Sequence, residues 1–331
     1  MTQEDGPGKF LRMTQGFMES RIVLSAAELN LFTLLSEMPL TAKEINGKIG
    51  GDLRSLTMLL DATAAIGLLR KERNAYFCEQ DVAKYLADNS SATVRPMALH
   101  AAALWKRWTR LTDIVEGTLT PTLNYDFSRN ENELNAFIGA MHSIGEPMAK
   151  RIAGEVRPGE AKSLLDIGGG SGVYTIAFLQ AVPELKATIF DMPAVIEMAR
   201  TRLGGAGLLN RAQLVGGNFH NDELPGEHDL VLLSAIIHSN SPEQNIDLYR
   251  KIFRVLTPGG RLLIRDHVMD PDRVRPRNGA LFAINMLVGM TGGGTYTYNE
   301  IASDLADAGF AKIDMLCDGE NMDSVVEAFK L

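Results

Sequence analysis

The sequence predicts an α/β fold: a doubly wound, mostly parallel sheet preceded by a mainly α-helical module with a winged-helix layout. Three observations carry this expectation. From about residue 158 onward, short apolar runs alternate with stretches of helical periodicity, the pattern of strands joined by crossover helices. The first of those runs, Leu164-Leu165-Asp166-Ile167, enters a cluster, Gly168-Gly169-Gly170-Ser171-Gly172, and then Val173 to Leu179 with apolar residues at helical spacing. The first third instead carries two short helical patterns and a hairpin pattern, and 331 residues suffice for two domains.

Taken in order, Thr41-Ala42-Lys43-Glu44 fits a capping box, in which the Thr oxygen and the Glu carboxylate satisfy orphan amides at a helix start. A second helix begins near Asp52, runs through Leu53, Leu56, Leu59, Leu60 and Ala64, and stops at Gly67. Leu68 to Phe77 reads as a hairpin with its turn near Glu72 to Asn74. Such a module either binds DNA or serves packing and dimerisation. Arg54 is the sole basic residue on the second helix, whereas a recognition helix needs several phosphate and base contacts, so packing and dimerisation are expected. Residues 117–135 are polar and turn-rich and read as a linker, followed by a bridging helix from Ala136 to about Val156. The expected organisation is therefore 1–116, 117–157 and 158–331. Strands are expected near 162–167, 187–190, 212–216, 229–234 and 261–266. Ile313–Cys317 and Ser324–Phe329 follow one another without a helix between them, as an antiparallel hairpin at the sheet edge.

Composition narrows the function classes. Apolar residues make up 45% and charged residues 22%, the balance of an ordinary soluble domain. A formal charge of −8 argues against a broad phosphate-binding surface and against nucleic acid as partner. Cys78 and Cys317 form no C-x-x-C pair, so neither a disulfide framework nor a thiolate zinc site is expected, and no metal. The acidic start, Met1 to Gly6, lacks the basic and apolar regions of a signal peptide. The apolar stretch Ala280–Met290 is too short to span a bilayer and contains Asn285. A cytoplasmic protein without membrane contact is expected.

A strand, a glycine turn and a helix can cradle a nucleotide, because glycine lets the backbone approach a ligand closely. The dinucleotide fingerprint G-x-G-x-x-G fails here, since counting from Gly168 puts Val173 at its last position. What stands is D-x-G-x-G-x-G, Asp166 to Gly172, which resembles motif I of the class I methyltransferases, binders of S-adenosylmethionine. Asp191 ends the next apolar run, Ala187-Thr188-Ile189-Phe190. It either accepts hydrogen bonds from ribose hydroxyls or caps the helix that follows Pro193. After the third strand, Asn218 can accept from an adenine amino group while Phe219 covers the base; the alternative is a turn Asn followed by a core Phe.

Ligands of an open parallel sheet lie beyond the carboxyl ends of its strands. After the fourth strand, Asp229 to Ser234, comes Ala235-Ile236-Ile237-His238, and a helix start at Ser241-Pro242-Glu243-Gln244. His238 is thus held in a short loop at the ligand edge. A phenol with a pKa near ~10 is mostly protonated at neutral pH. A histidine, unperturbed near ~6.5, can take that proton as the methyl group arrives, or it is a structural histidine bonded to a carbonyl.

The run from Leu164 through Asp266, together with Pro39 to Ile45, resembles the class I O-methyltransferases related to plant caffeate-type and bacterial polyketide enzymes. The resemblance covers nearly the whole chain. It implies a Rossmann-like methyltransferase sheet, a winged-helix-like dimerisation domain, S-adenosylmethionine as cofactor, a homodimer, and an acceptor hydroxyl on an aromatic or polycyclic small molecule. It further implies His238 as catalytic base, Asp266 as the acid that orients it, and cofactor contacts from Asp166, Gly168, Gly169, Gly170, Asp191, Met192, Asn218, Phe219 and Ser234. Departures are specific. His238-Ser239-Asn240 stands for the family's His-Asp-Trp, Asn218 for an Asp, Thr295 for a second orienting acid, and Asp266 for a Glu with a longer arm. His267, next in sequence, should point to the other face from Asp266. Trp105, Trp108, Met141, His142, Phe282, Asn285, Met286 and Met290 are the candidates to line the acceptor pocket, with methionines adapting to a flat ring. Two rival readings are an enzyme of the same scaffold that binds the cofactor without moving its methyl group, or only positions the acceptor, and a cofactor-sensing winged-helix regulator.

Overall fold

Local chemistry at Thr41 and Asp52 sets the register of the N-terminal unit. In the computed structural model, which describes residues 6–121 and 131–331, this unit runs α1 (Pro7–Gln15), α2 (Phe17–Glu28), α3 (Leu31–Glu37), β1 (Leu40–Thr41), α4 (Ala42–Ile49), α5 (Leu53–Ala65), β2 (Arg70–Glu72), β3 (Ala75–Phe77), α6 (Gln80–Leu86) and α7 (Arg95–Trp108). The capping box forms as expected: Thr41 N–H donates to Glu44 Oε2 at 2.7 Å and Glu44 N–H donates to Thr41 Oγ1 at 3.3 Å. Asp52 Oδ1 accepts from Ser55 N–H and starts α5. The hairpin gains a third strand that the sequence did not signal, in the order β1-β3-β2, because Leu40 pairs with Tyr76. Two residues are too few to show an alternation. Phe32, Ile45, Leu60 and Tyr76 are the buried centre of this unit.

The larger unit contains α8 (Leu111–Val115), most of the C-terminal half of α9 (Glu131–Glu155), β4 (Ser163–Ile167), α10 (Val173–Ala181), β5 (Lys186–Asp191), α11 (Pro193–Gly205), β6 (Ala212–Gly216), β7 (His228–Ser234), α12 (Pro242–Val255), β8 (Leu256–Asp266), β9 (Val268–Met269), α13 (Arg277–Gly289), β10 (Tyr296–Thr297), α14 (Tyr298–Asp307), β11 (Ala311–Cys317) and β12 (Ser324–Phe329). The smaller unit takes in the chain up to Lys106 and the first half of α9 as far as Ser143, whereas Arg107 and Trp108 at the end of α7, and α9 from Ile144, belong to the larger unit. That helix begins at Glu131 rather than Ala136. Residues 131–135, expected to be linker, are thus the first residues of the helix. Of the expected linker, residues 122–130 lie outside the described residues.

One seven-stranded sheet, in the order β11-β12-β8-β7-β4-β5-β6, organises the larger unit. Strands β4 to β8 pair in parallel, whereas β12 runs antiparallel to both β8 and β11. The expected hairpin at the edge is present. Alternation on each strand builds two layers. Leu165, Ile167, Val231, Leu233, Leu262 and Ile264 face Leu248, Tyr249 and Ile252 of α12 and Ile301 and Leu305 of α14. Leu164, Leu230, Leu232 and Leu263 face Phe178 and Leu179 of α10, Ala199 and Leu203 of α11, and Ile152 of α9. Strand β8 starts at Leu256, five residues before the expected strand, since Pro258-Gly259-Gly260 reads as a turn. A small parallel sheet, β9 with β10, brings Val268 beside Tyr296. The strand order reverses between β4 and β7, so their carboxyl ends open a crevice there.

Leu233 is fully buried on a central strand. Leu233→Ala should lower unfolding free energy by about 2–5 kcal/mol. Urea denaturation checks this through a lowered midpoint at unchanged slope, and an unchanged midpoint would contradict the packing described.

Candidate active site

The site begins where β4 ends. Gly168 has φ +67°, and a Cβ on it would lie 2.3 Å from Ile236 Cδ1. A Cβ on Gly169 would lie 2.8 Å from Ile189 Cγ2. Gly170, at φ +55°, meets nothing nearer than 3.9 Å and faces open space. The first two glycines are therefore required by the protein's own packing, and the third leaves a cradle. Asp166 lies below this turn and is buried; its Oδ2 accepts from Thr175 Oγ1 at 2.7 Å, and its Oδ1 has no partner. Burial raises its pKa to about 6, against the Thr175 hydroxyl and reinforced by the charge of Asp191.

Asp191 closes the turn from β5. Its Oδ2 accepts from Gly170 N–H at 2.7 Å and its Oδ1 from Met192 N–H at 2.6 Å. The cap of α11 is Met192, with Pro193 following, so Asp191 is not the N-cap. Burial raises the Asp191 carboxyl and the two amides oppose that. Each oxygen still has a lone pair to offer. After β6, Asn218 Oδ1 accepts from His220 N–H at 2.9 Å, a side-chain turn, while Phe219 packs partly buried against the main core. Sequence reasoning missed Lys251 of α12, whose Nζ donates to the carbonyls of Phe219, His220 and Asp222 at 2.9, 3.0 and 2.9 Å. A lysine on an exposed helix gives no sequence signal for such a clamp.

Beyond β7 the chain turns through Ala235 at φ +58°, with its N–H donating to Arg265 O at 2.8 Å. His238 follows in a single 3-10 turn, Ile237–Ser239. Its carbonyl accepts from Gly294 N–H at 2.9 Å. Asn245 Nδ2 donates to Ile237 O at 3.0 Å, Asn240 Nδ2 donates to Asn245 Oδ1 at 2.9 Å, and the Tyr296 hydroxyl donates to Asn240 O. The residues standing for the family's Asp-Trp thus lock the loop through amides. His238 Nδ1 lies 2.9 Å from both oxygens of Asp266, so the shorter arm spans the gap. Burial alone would raise Asp266, but the charge and hydrogen bond of His238, the His267 amide and the Arg265 charge hold it below the usual carboxylate range. An ionised Asp266 only accepts, so the ring nitrogen facing it, Nδ1, is the one that bears a proton; in the neutral imidazole the lone pair is then on Nε2.

The Phe282 ring stands edge-on to His238, with centroids 4.8 Å apart, and 5.2 Å from the His267 ring. His267 is therefore not turned away, as alternation along the strand requires. Strand β8 ends at Asp266, and the period of two ends with it. Met286 of α13 and Met290, the extended residue just past that helix, are buried, their Cβ atoms near the position a Cβ on Gly293 would take beside the His238 carbonyl. Asn285 Oδ1 accepts from Trp108 Nε1 at 3.0 Å. Thr295, in place of the second acid, is buried and its carbonyl accepts from Arg273. Ser234 Oγ accepts from Arg265 Nη1 at 3.0 Å. Trp105, Met141 and His142 belong to the N-terminal unit, where Trp105 lies 6.0 Å from the Arg21 guanidinium. Among the described residues no cluster of three or more His, Cys, Asp or Glu could hold a metal ion.

Comparison with known proteins decides the class. Residues 120–311 match the O-methyltransferase domain, and residues 11–89 match the O-methyltransferase dimerisation domain. The chain belongs to the class I S-adenosylmethionine-dependent O-methyltransferases. It is 31% identical over 318 residues to the tetracenomycin polyketide synthesis 8-O-methyl transferase of Streptomyces glaucescens, covering 94% of each chain. The solved mitomycin 7-O-methyltransferase superposes with a TM-score of 0.86 at 27% identity, covering 98% of this chain and 97% of that one. Human N-acetylserotonin methyltransferase, solved in complex with S-adenosylmethionine, shares the fold with a TM-score of 0.84 at 23% identity, covering 100% and 99%. This methyltransferase's own residues fit the cofactor: an open glycine cradle at Gly170, and a buried acid beneath it with an unpartnered oxygen.

Because the folded pKa of Asp166 lies above its unfolded value, its stabilising contribution is present at pH below about 4 and is lost as pH rises through about 6. Thermal melts of the cofactor-free methyltransferase from pH 5 to 7 should lose stability by an amount that Asp166→Asn removes. Parallel pH profiles for the two proteins would contradict this.

Proposed function

We propose that this O-methyltransferase transfers its methyl group to a hydroxyl on an aromatic or polycyclic small molecule, with His238 as the general base. The observation that carries the reading is the buried His238–Asp266 pair at the carboxyl edge of the sheet. Relatives whose names specify a hydroxyl on fused or conjugated rings, such as the 3-hydroxy-5-methyl-1-naphthoate 3-O-methyltransferase of Streptomyces sahachiroi, support the acceptor class. In this reading Asp166, Gly168, Gly169, Gly170, Asp191, Met192, Asn218, Phe219 and Ser234 hold the cofactor. Asp191 anchors the ribose while fixing the glycine turn. The dimerisation domain would join two copies in a homodimer. No described helix is long and apolar enough to cross a membrane, and a cytoplasmic enzyme without nucleic-acid partners is the consistent setting.

When bound, S-adenosylmethionine supplies an already activated methyl group on sulfur. The protein's task is to orient the acceptor oxygen and remove its proton. His238 Nε2 takes that proton, and Asp266 stabilises the resulting imidazolium through Nδ1–H. Phe282, edge-on to the imidazole, restricts its rotation. Phe282, Met286 and Met290 offer the apolar surface against which a flat ring lies. General-base assistance of this kind is worth about 10²–10⁴-fold.

His238→Gln should lower kcat by about 10²–10⁴-fold while leaving S-adenosylmethionine affinity within a few-fold, as read by a labelled-methyl assay over phenols, quinols and polyketides and by calorimetry. Unchanged turnover would remove His238 as base. Asp191→Ala should abolish measurable cofactor binding in the same calorimetry. Retained binding would show that the ribose is held elsewhere.

A further inference from the structure

Arg265 is a buried cation that the reading above does not use. It precedes Asp266 on β8, so the pleat sends its side chain to the opposite layer, that of α9 and α10. In register it pairs with Ser234, the last residue of β7. Only 6% of Arg265 is exposed. Its Nη1 donates to Ser234 Oγ at 3.0 Å, its guanidinium lies 5.1 Å from the Tyr174 ring centre, and its Nε has no partner. The Tyr174 hydroxyl beside it is also buried, with the Ser234 hydroxyl within its reach. Among the described residues no acid forms an ion pair with Arg265. Asp266 points to the other layer with both oxygens on His238. A guanidinium enclosed by a hydroxyl and an aromatic ring has given up its hydration without gaining a hydrogen-bonded ion-pair partner, and an anion brought beside it would supply one.

The place of this cation specifies the anion. Arg265 and Ser234 stand on one side of the crevice where the strand order reverses, and Asp166 stands on the other, on the same face of the sheet. Asp166 is likewise buried, with Oδ1 unpartnered. An unpaired acid and an unpaired cation on one face, across one crevice, match a zwitterion: an α-amino acid with its carboxylate toward Arg265 and its ammonium toward Asp166. S-adenosylmethionine ends in such a group. We propose that Arg265 binds the carboxylate of the methyl donor's amino-acid end, with Ser234 Oγ orienting the guanidinium and the Tyr174 hydroxyl adding a donor. This rests on the donor occupying the glycine turn as argued above. The bidentate geometry of arginine suits a planar carboxylate.

The test compares two ligands by calorimetry, S-adenosylmethionine and decarboxylated S-adenosylmethionine, which differ only in that carboxylate. The wild-type protein should bind the intact cofactor at least about tenfold more tightly, a charged hydrogen-bonded contact being worth about 10- to 100-fold. Arg265→Met should erase this preference by weakening the intact cofactor while leaving the decarboxylated one within about threefold, and Arg265→Lys should restore part of it. Tyr174→Phe should give a smaller loss in the same direction. Equal binding of both ligands by the wild type overturns the proposal without any variant. So does an equal loss for both ligands in Arg265→Met, which would mark a structural role. Asp191→Ala separates the two levels: if it leaves both ligands bound, the placement of the donor on the glycine turn fails, whereas if it abolishes both and Arg265→Met changes neither, only the role of Arg265 fails.

Discussion

The close approach of Ile236 to Gly168 is the constraint on which the site depends. A side chain at position 168 would need the space that Ile236 Cδ1 fills. The glycine turn after β4 and the loop after β7 therefore share one volume at the point where the strand order reverses. The first loop carries the glycine turn proposed to cradle the cofactor, and the second carries His238, two residues past Ile236. The proposed donor cradle and His238 come to the same edge because these two loops meet there. The left-handed turn at Ala235 is part of this arrangement, a backbone conformation that a β-carbon makes costly and that the surrounding contacts impose.

Much of the fold was legible because it rests on short-range signals. Capping boxes at Thr41 and Ser241 announce helices that form as expected, and D-x-G-x-G-x-G marks the turn after β4. The pairing of His238 with Asp266 was legible through family resemblance, although an Asp stands there for a Glu with a longer arm. What escaped has a common physical cause: it is written between segments distant in the chain. Lys251 reaches a loop some thirty positions earlier. Phe282 joins His238 to His267 from a separate helix. The pairing of Val268 with Tyr296 involves strands too short to show a period. Asn218 illustrates a different limit, since its polar side chain serves its own backbone turn, a use that residue type alone does not distinguish from ligand binding.

The departures from the family pattern acquire a structural account. Asn240 and Asn245 form a buried amide pair under the His238 loop, with the Tyr296 hydroxyl on the Asn240 carbonyl. The loop is held by neutral hydrogen bonds in place of the acid and indole found in relatives. Asp266 therefore carries the whole negative charge facing His238, with no second acid from position 295. One carboxylate buried against one imidazole is electrostatically balanced when the imidazole takes a proton.

Helix α12 has a mechanical consequence. Its first turn, capped by Ser241, follows directly on the His238 loop, and Lys251 near its other end grips three carbonyls of the loop after β6. Ten residues of helix make a strut about 15 Å long. The loop proposed to meet the adenine and the loop bearing His238 are thus mounted on opposite ends of one stiff rod, and a tilt of that rod moves both together.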